Sequence, residues 1–286
     1  MKTFKLLFPL LFAATLASCG GANETTITVA ASELPHAKIL KEAIAPILKE
    51  KGYDLKVTVL EWTQQNPAVA RGEYDANYFQ HLPYLETYNK DAGKEGELRL
   101  VVKAHFERLC LYTSDLKKTE VTDGSTIELV NDLSNIDRAL LLLEDNHIIT
   151  SIKDSCYDAA GNFVNFDVTK PTEQVLWAPE YEHCKLTCIQ ESNLAISLGD
   201  YDFGILPGNA ALTGLGDDYA RRIVAGERVS EETLSLRANG VAVRPENVNS
   251  PKTKALVEAF GNPSVKEYIS DTFGESVLYH YEKLID

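Results

Sequence analysis

The chain has 286 residues, 44% of them hydrophobic and 24% charged, enough apolar material for two compact lobes. Its net charge of −14 is spread along the sequence, leaving no basic stripe to neutralise phosphates, which argues against nucleic acid as a partner. The same charge argues against holding an anionic lipid surface by electrostatics alone.

Lys2 and Lys5 flank the start of LLFPLLFAATLASCGG, an apolar run too short to span a bilayer and ending in small residues. That is the form of a secretory signal. Leu16-Ala17-Ser18-Cys19-Gly20 has the look of a bacterial lipobox, so residues 1–19 are expected to be signal peptide, Cys19 the lipidated first residue of the mature protein, and 20–26 a tether. Two or three acyl chains anchor far more firmly than one. The expected location is the cell envelope, membrane-anchored through Cys19 and facing the periplasm or exterior, with inner or outer membrane left open.

Cys110, Cys156, Cys184 and Cys188 remain in the mature chain. Cys184 and Cys188 lie in strand-like HCKLTCIQ, and residues four apart on a strand sit roughly 13 Å from each other, too far to bridge. A disulfide is therefore expected between Cys156 and either Cys184 or Cys188. His183 beside Cys184 does not complete a zinc-ligand spacing, and no metal or cofactor is expected.

In chain order, ITVAAS reads as a strand. His36 to Lys51 repeats apolar residues at helical spacing and stops at Gly52. LKVTVLEW alternates as a strand, 67–72 as a short helix, YDANYF as a strand and HLPYLETYNKDAG as a helix. RLVVKAHFERLCLYTS is one long strand-like stretch suited to joining two lobes. The pattern then restarts: strand DGSTIELVND, then helix SNIDRALLLLEDNHI with Ser134 or Asn135 as N-cap. Strand KLTCIQES, helix LAISLGD, strand YDFGILPGN and return strand GVAVRPEN follow, and two closing helices begin at prolines.

Alternating strands and helices predict an α/β protein of mainly parallel sheets in two lobes, 27–110 with 238–286 and 111–237. Ligands of such sheets bind beyond the C-terminal ends of strands, which between lobes is a cleft. Pro35, His36, Trp62, Phe79, His81, His105, Tyr112, Asn135, Arg138, Asn209 and Asn239 all fall at those ends. Each also has a plain reading. Aromatics fill cores, an Arg in a first helical turn is most often a surface charge, and His36 and His105 suit structural or hinge positions. Tyr84 and Tyr88, four apart on a helix, read as core packing.

The order of these pieces resembles the NlpA/MetQ family, the substrate-binding lipoproteins of methionine ABC importers. Pro35-His36-Ala37 resembles its "PHAEIL" opening, and GEYDANYFQHLPYL its "G-x-x-DAN-x-FQH-x-PYL", matching at Gly72, Asp75, Ala76, Asn77, Phe79, Gln80, His81, Pro83, Tyr84 and Leu85. DGSTIELVNDLSNIDRALLLLE follows the family through Asp123, Gly124, Asn131, Asp132, Asn135, Arg138 and its leucine run. The resemblance covers nearly all of the mature chain. It implies a two-lobed, periplasmic-binding-protein-like fold of type 2 that closes on an extracytoplasmic amino acid, L-methionine first, and hands it to a membrane-embedded ABC permease. By the same resemblance Arg138 would hold the ligand carboxylate, since a planar fork pairs two oxygens. Asn135 would add a donor, and Trp62, Tyr78, Phe79 and His81 would wall the side chain. Asn239 would pair with the ammonium or carboxylate, and Asn209 keeps a family position.

Three departures stand out. Pro207 occupies the place of a family asparagine that meets the ligand, and proline offers no amide. The family's "vEPmgly" reads FERLCLY, with Arg108 and Cys110 replacing Pro and Met, and the stretch from Cys156 to Thr187 is longer than usual. These leave room for another amino acid or a short peptide as ligand, or for a surface lipoprotein of the same fold with an adhesin or envelope-interaction role. Catalysis is not expected: the chain has no GxSxG, HExxH or phosphate loop and no serine–histidine–aspartate arrangement.

Overall fold

The computed structural model describes residues 25–286; Cys19, the signal segment and most of the tether lie outside the described residues. The first lobe opens with β1 (Thr26–Ala31), β2 (Asp54–Val59), β3 (Ala76–His81) and β4 (Arg99–Glu107). The second carries β5 (Cys110–Thr113), β6 (Thr126–Val130), β7 (Ile149–Ile152), β8 (Val175–Trp177), β9 (Lys185–Ile189), β10 (Phe203–Leu206) and β11 (Ile223–Gly226). The chain then returns as β12 (Asn239–Val243) and ends in β13 (Val277–Lys283).

The two main sheets have strand orders β13-β4-β12-β3-β1-β2 and β11-β5-β10-β6-β9. Each contains a parallel core of three strands, β3-β1-β2 and β10-β6-β9, as the helical crossovers require. Antiparallel strands flank that core where the chain passes between sheets. The long strand-like stretch 99–113 does serve both lobes. It breaks at Arg108-Leu109, so β4 belongs to the first sheet and β5 to the second.

Separate cores hold the lobes. Ile27, Val29, Ile44, Val241, Leu256 and Phe260 pack in the first; Leu129, Ile136, Leu140, Leu186, Phe203 and Ile205 pack in the second. All twelve are at most 4% exposed, each stabilising its lobe by about 1.5–3 kcal/mol of apolar burial.

Several expectations need correction. The helix expected over 67–72 runs Trp62–Ala70, which puts Trp62 in its first turn. The helix Leu133–Asp145 is capped by Asp132, not Ser134 or Asn135: Asp132 Oδ1 accepts the Asn135 backbone N–H at 3.2 Å. An ionised carboxylate is a good acceptor for orphan N–H groups and suits the helix dipole. The two-stranded sheet β7-β8, the edge strand β11 and the terminal β13 beside β4 have no counterpart in the sequence reading.

The expected disulfide from Cys156 to Cys184 or Cys188 is absent, and Cys110, Cys156, Cys184 and Cys188 are free thiols. Cys156 ends a short 3-10 turn with its thiol 3.4 Å from Gln174 Oε1, while the Cys184 thiol turns to the Thr122 carbonyl at 3.3 Å. Each sulfur is oriented by a different neighbouring segment. Burial pushes the Cys188 thiol up to about 12, so it stays protonated and unreactive.

Candidate functional site

A cavity lies where the C-terminal ends of β3 and β4 face the helices that follow β6, β9 and β10. The first lobe contributes Trp62, Phe79, His81, Tyr84, Glu107 and Asn239. The second contributes Asn135, Arg138, Glu191, Pro207 and Asn209. The space enclosed is about 40 Å³, and a wider groove of about 460 Å³ adjoins it, sharing Ser32, Trp62, Glu191 and Asn209 as walls.

The aromatic wall comes from two adjacent elements. Phe79 ends β3, and Tyr84 sits on the first turn of the helix Leu82–Gly96. The Tyr84 ring lies 5.6 Å from that of Phe79 and 5.1 Å from that of Trp62. Tyr84 is therefore a pocket residue and not core packing, because the helix begins at the cleft and its first turn faces inward. Tyr78 is the opposite case. Side chains alternate along a strand, so it points away from Phe79 and His81 into the first-lobe core, its ring 5.0 Å from Phe260. It does not wall the pocket.

His81 spans the lobes. Its Nδ1 accepts the Tyr84 N–H at 3.2 Å, which leaves the proton on Nε2 to be donated to Asn135 Oδ1 at 3.1 Å. Burial, then the charges of Arg138 and Arg237, depress its pKa to about 3, so the ring is neutral at ordinary pH.

Arg138 lines the cavity but is already engaged. Its Nε donates to Glu227 Oε2 at 3.1 Å, and Nη2 donates to Glu227 Oε1 and, at 3.1 Å, to the Glu107 backbone carbonyl. Nη1 donates to Asn135 Oδ1 at 2.9 Å. A guanidinium has five N–H groups, so among the described residues one Nη1 hydrogen remains. The fork that the family resemblance assigns to a ligand carboxylate grips Glu227 here.

The residue that sequence reasoning missed is Glu107, 4% exposed at the end of β4. Its Oε1 lies 2.9 Å from His105 Nε2 and 3.1 Å from His36 Nε2, and Oε2 accepts the Asn209 backbone N–H at 2.6 Å. Tyr78 donates its hydroxyl hydrogen to His105 Nδ1, which fixes the tautomer with the His105 proton aimed at Glu107. Burial depresses His36 and His105 to about 3 and raises Glu107 above the usual carboxylate range, opposed by His36, the Asn209 N–H and Arg138. Donor atoms of His36, His105 and Glu107 come within 4.8 Å of one another. Only the His105 approach is a hydrogen bond, and it orients the carboxylate; among the described residues neither ring nitrogen of His36 has a hydrogen-bond partner. The signal was available: an acid at the end of the buried run LVVKAHFE is out of place unless something pairs with it.

Asn239 opens β12, in register with His81 on one side and His105 on the other. Asn209 uses both donors on pocket acids, its N–H on Glu107 and its Nδ2 on Glu191 Oε1 at 2.6 Å. Burial raises Glu191 to about 8, with Asp132, Glu107 and Glu61 adding to the shift and Asn209 opposing it. Of the eight ligand-binding residues named from sequence, Trp62, Phe79, His81, Asn135, Arg138, Asn209 and Asn239 converge on the cavity.

A profile of the NlpA lipoprotein family matches residues 27–280. Among curated proteins the chain is 33% identical to the methionine-binding lipoprotein MetQ of Bacillus subtilis, across 97% of this chain and 98% of that one. Among solved structures it superposes on a nutrient binding protein from Burkholderia cenocepacia bound to methionine, with TM-score 0.75 and 27% identity, covering 88% of this chain and 99% of the other. A periplasmic substrate-binding protein of an ABC transporter from Coxiella burnetii gives TM-score 0.74 at 27% identity, covering 89% and 100%. These relatives are binding proteins rather than enzymes, and with them the chain belongs to the NlpA lipoprotein family.

Proposed function

We propose that this protein is the substrate-binding lipoprotein of an ABC importer, anchored in the envelope through Cys19 and delivering a free α-amino acid to its permease. The lobes 27–110 with 238–286 and 111–237 act as the two jaws. The observation that carries the reading is the juxtaposition of opposite polarities across one small cavity. Glu107, buried and held by the His105 ring and the Asn209 N–H with His36 Nε2 3.1 Å away, offers negative charge to an ammonium group. The remaining Arg138 Nη1 hydrogen and the amides of Asn135 and Asn239 line the same cavity for a carboxylate, with Phe79, Tyr84 and Trp62 beside them for the side chain.

A space of about 40 Å³ is close to the volume of one water molecule, so the jaws part to admit an amino acid and reclose around it. The His81–Asn135 hydrogen bond is one of the contacts between the lobes that opening would strain, with those from Asn209 and Arg138 to Glu107. L-Methionine is the first ligand to test, because sulfur–aromatic contacts of about 0.3–1.5 kcal/mol each suit this wall and because relatives carry its name. The test is a thermal-shift screen of the twenty amino acids on the mature protein. A ligand at a hundredfold its Kd stabilises by about 2.7 kcal/mol. A screen in which no amino acid raises the melting temperature would remove the proposal.

A further inference from the structure

Charge is unevenly distributed around this cavity and the groove that continues it. The groove is lined by Glu33, Glu61 and Glu191, and no Lys or Arg lines it. Glu33 and Glu61 are exposed at the mouth, Glu191 is half-buried where groove and cavity meet, and none of the three has an ion-pair partner among the described residues. Within the cavity the single cation, Arg138, is matched by Glu227. Once Glu107 is assigned to the ammonium, Glu191 is left as a second acidic group with only an amide N–H upon it.

Its surroundings favour one kind of guest. Trp62 forms part of both spaces, and its ring packs on Tyr84. Burial holds the Tyr84 hydroxyl protonated, with Asp132 and Glu191 acting in the same direction. An aromatic face beside an unmatched carboxyl group attracts a cation, through the ring quadrupole and through the charge that the Glu191 carboxyl gains when an arriving ammonium favours loss of its proton. A thioether would use the rings and leave the carboxyl group unanswered. Pro207, which offers no amide to the ligand, lines the same cavity.

Resting on the amino-acid reading above, we infer that Glu191, with Trp62 and Tyr84, selects an amino acid whose side chain carries a positive charge, the ammonium end lying between the aromatic faces and the Glu191 carboxylate at the mouth of the groove. The α-ammonium stays with Glu107, so the ligand is held at two cationic ends and one anionic end.

The experiment is calorimetric titration of the mature protein and its Glu191→Gln variant with L-lysine, L-ornithine and L-methionine. Glutamine keeps an oxygen for the Asn209 Nδ2 hydrogen bond, so folding is retained and is checked by thermal melting of the free protein. Expected is tighter binding of lysine or ornithine than of methionine, a loss of about tenfold or more for the cationic ligands in Glu191→Gln, and a change under about twofold for methionine. Methionine binding more tightly than both cationic amino acids, or falling in parallel with them in the variant, overturns the inference and leaves the amino-acid reading standing. Binding of none of the twenty amino acids overturns both.

Discussion

Arg138 carries the sharpest difference between what the motif suggests and what the structure shows, and Glu227→Ala tests it without knowledge of the ligand. Both side chains are nearly buried, at 6% and 8% exposed. Glu227 takes Nε and Nη2 of Arg138 and, through Oε1, the Leu109 N–H at 2.6 Å. Truncation leaves a guanidinium buried without its counter-charge, a loss of about 3–5 kcal/mol. The orphaned Leu109 N–H, worth about 1–3 kcal/mol alone, overlaps with that figure and holds it toward the upper end. Urea unfolding followed by circular dichroism reads the change directly. For a chain of this size melting should drop by roughly 6–20 °C, at about 2–4 °C per kcal/mol. Removing both charges in Arg138→Met with Glu227→Leu should recover much of the loss, because no unpaired ion remains. A loss below about 1 kcal/mol in Glu227→Ala would show that the pair does not hold Arg138. Its fork would then be free for a ligand carboxylate, and the account of the cavity would fail at its centre.

Glu107→Gln should weaken binding of whichever amino acid the screen selects by about 10- to 150-fold, from the loss of a charge-assisted hydrogen bond of about 1.5–3 kcal/mol; calorimetry with the desamino analogue should show little change, and equal losses for both would refute the ammonium role. His36, His81 and His105, each held near 3 by burial, should show no imidazole titration between pH 8 and 5 by NMR, and a midpoint near 6.5 in any of them would refute its burial. Because the unfolded state takes up these protons below about 6.5, each histidine lowers stability by about 1.4 kcal/mol per pH unit as pH falls from there toward 3. The raised Glu107 and Glu191 act in the opposite sense, adding stability as pH drops toward 4.5, so the steepest loss should come below that value in urea titrations. Trp62→Ala should leave the half-buried Tyr84 without its ring partner at 5.1 Å, costing about 0.5–1.5 kcal/mol of pair energy, while reducing ligand affinity by more than tenfold; retained affinity would place the ligand elsewhere.

Much of the architecture was legible because it rests on periodicity. Period-2 and period-3.6 runs marked the parallel strands and their crossover helices, and the stretch 99–113 announced a shared strand by its length. The elements that escaped, β7, β8, β11 and β13, are short or lie at edges, and β8 and β13 keep one buried residue each while β11 keeps none. Motif spacing placed seven side chains at the cavity. It erred at Tyr78 because alternation along β3 turns that ring away from Phe79 and His81, and at Tyr84 because the helix starting at Leu82 sets its first turn at the cleft. The misplaced disulfide has another cause, since pairing depends on thiol direction, and Gln174 and Thr122 turn two of the sulfurs to different carbonyls.

Pro207 shows why a departure from a motif cannot be read as a simple loss. The substitution removes an amide from the cavity, yet its backbone is the entry to the helix Gly208–Gly214, with φ −68° and ψ 156° and its carbonyl accepting the Ala211 N–H at 3.1 Å. Proline's ring presets that φ. The next residue has no side chain, and a Cβ there would come within 3.1 Å of Glu107 Cβ, so Gly208 lets the turn approach the carboxylate closely. Asn209 then delivers its N–H to Glu107 and its side chain to Glu191. Three consecutive residues therefore position both acids of the cavity. The turn Pro207-Gly208-Asn209 thus bears on both ends of the inferred ligand, its Glu107 bond on the α-ammonium and its Glu191 bond on the cationic side chain.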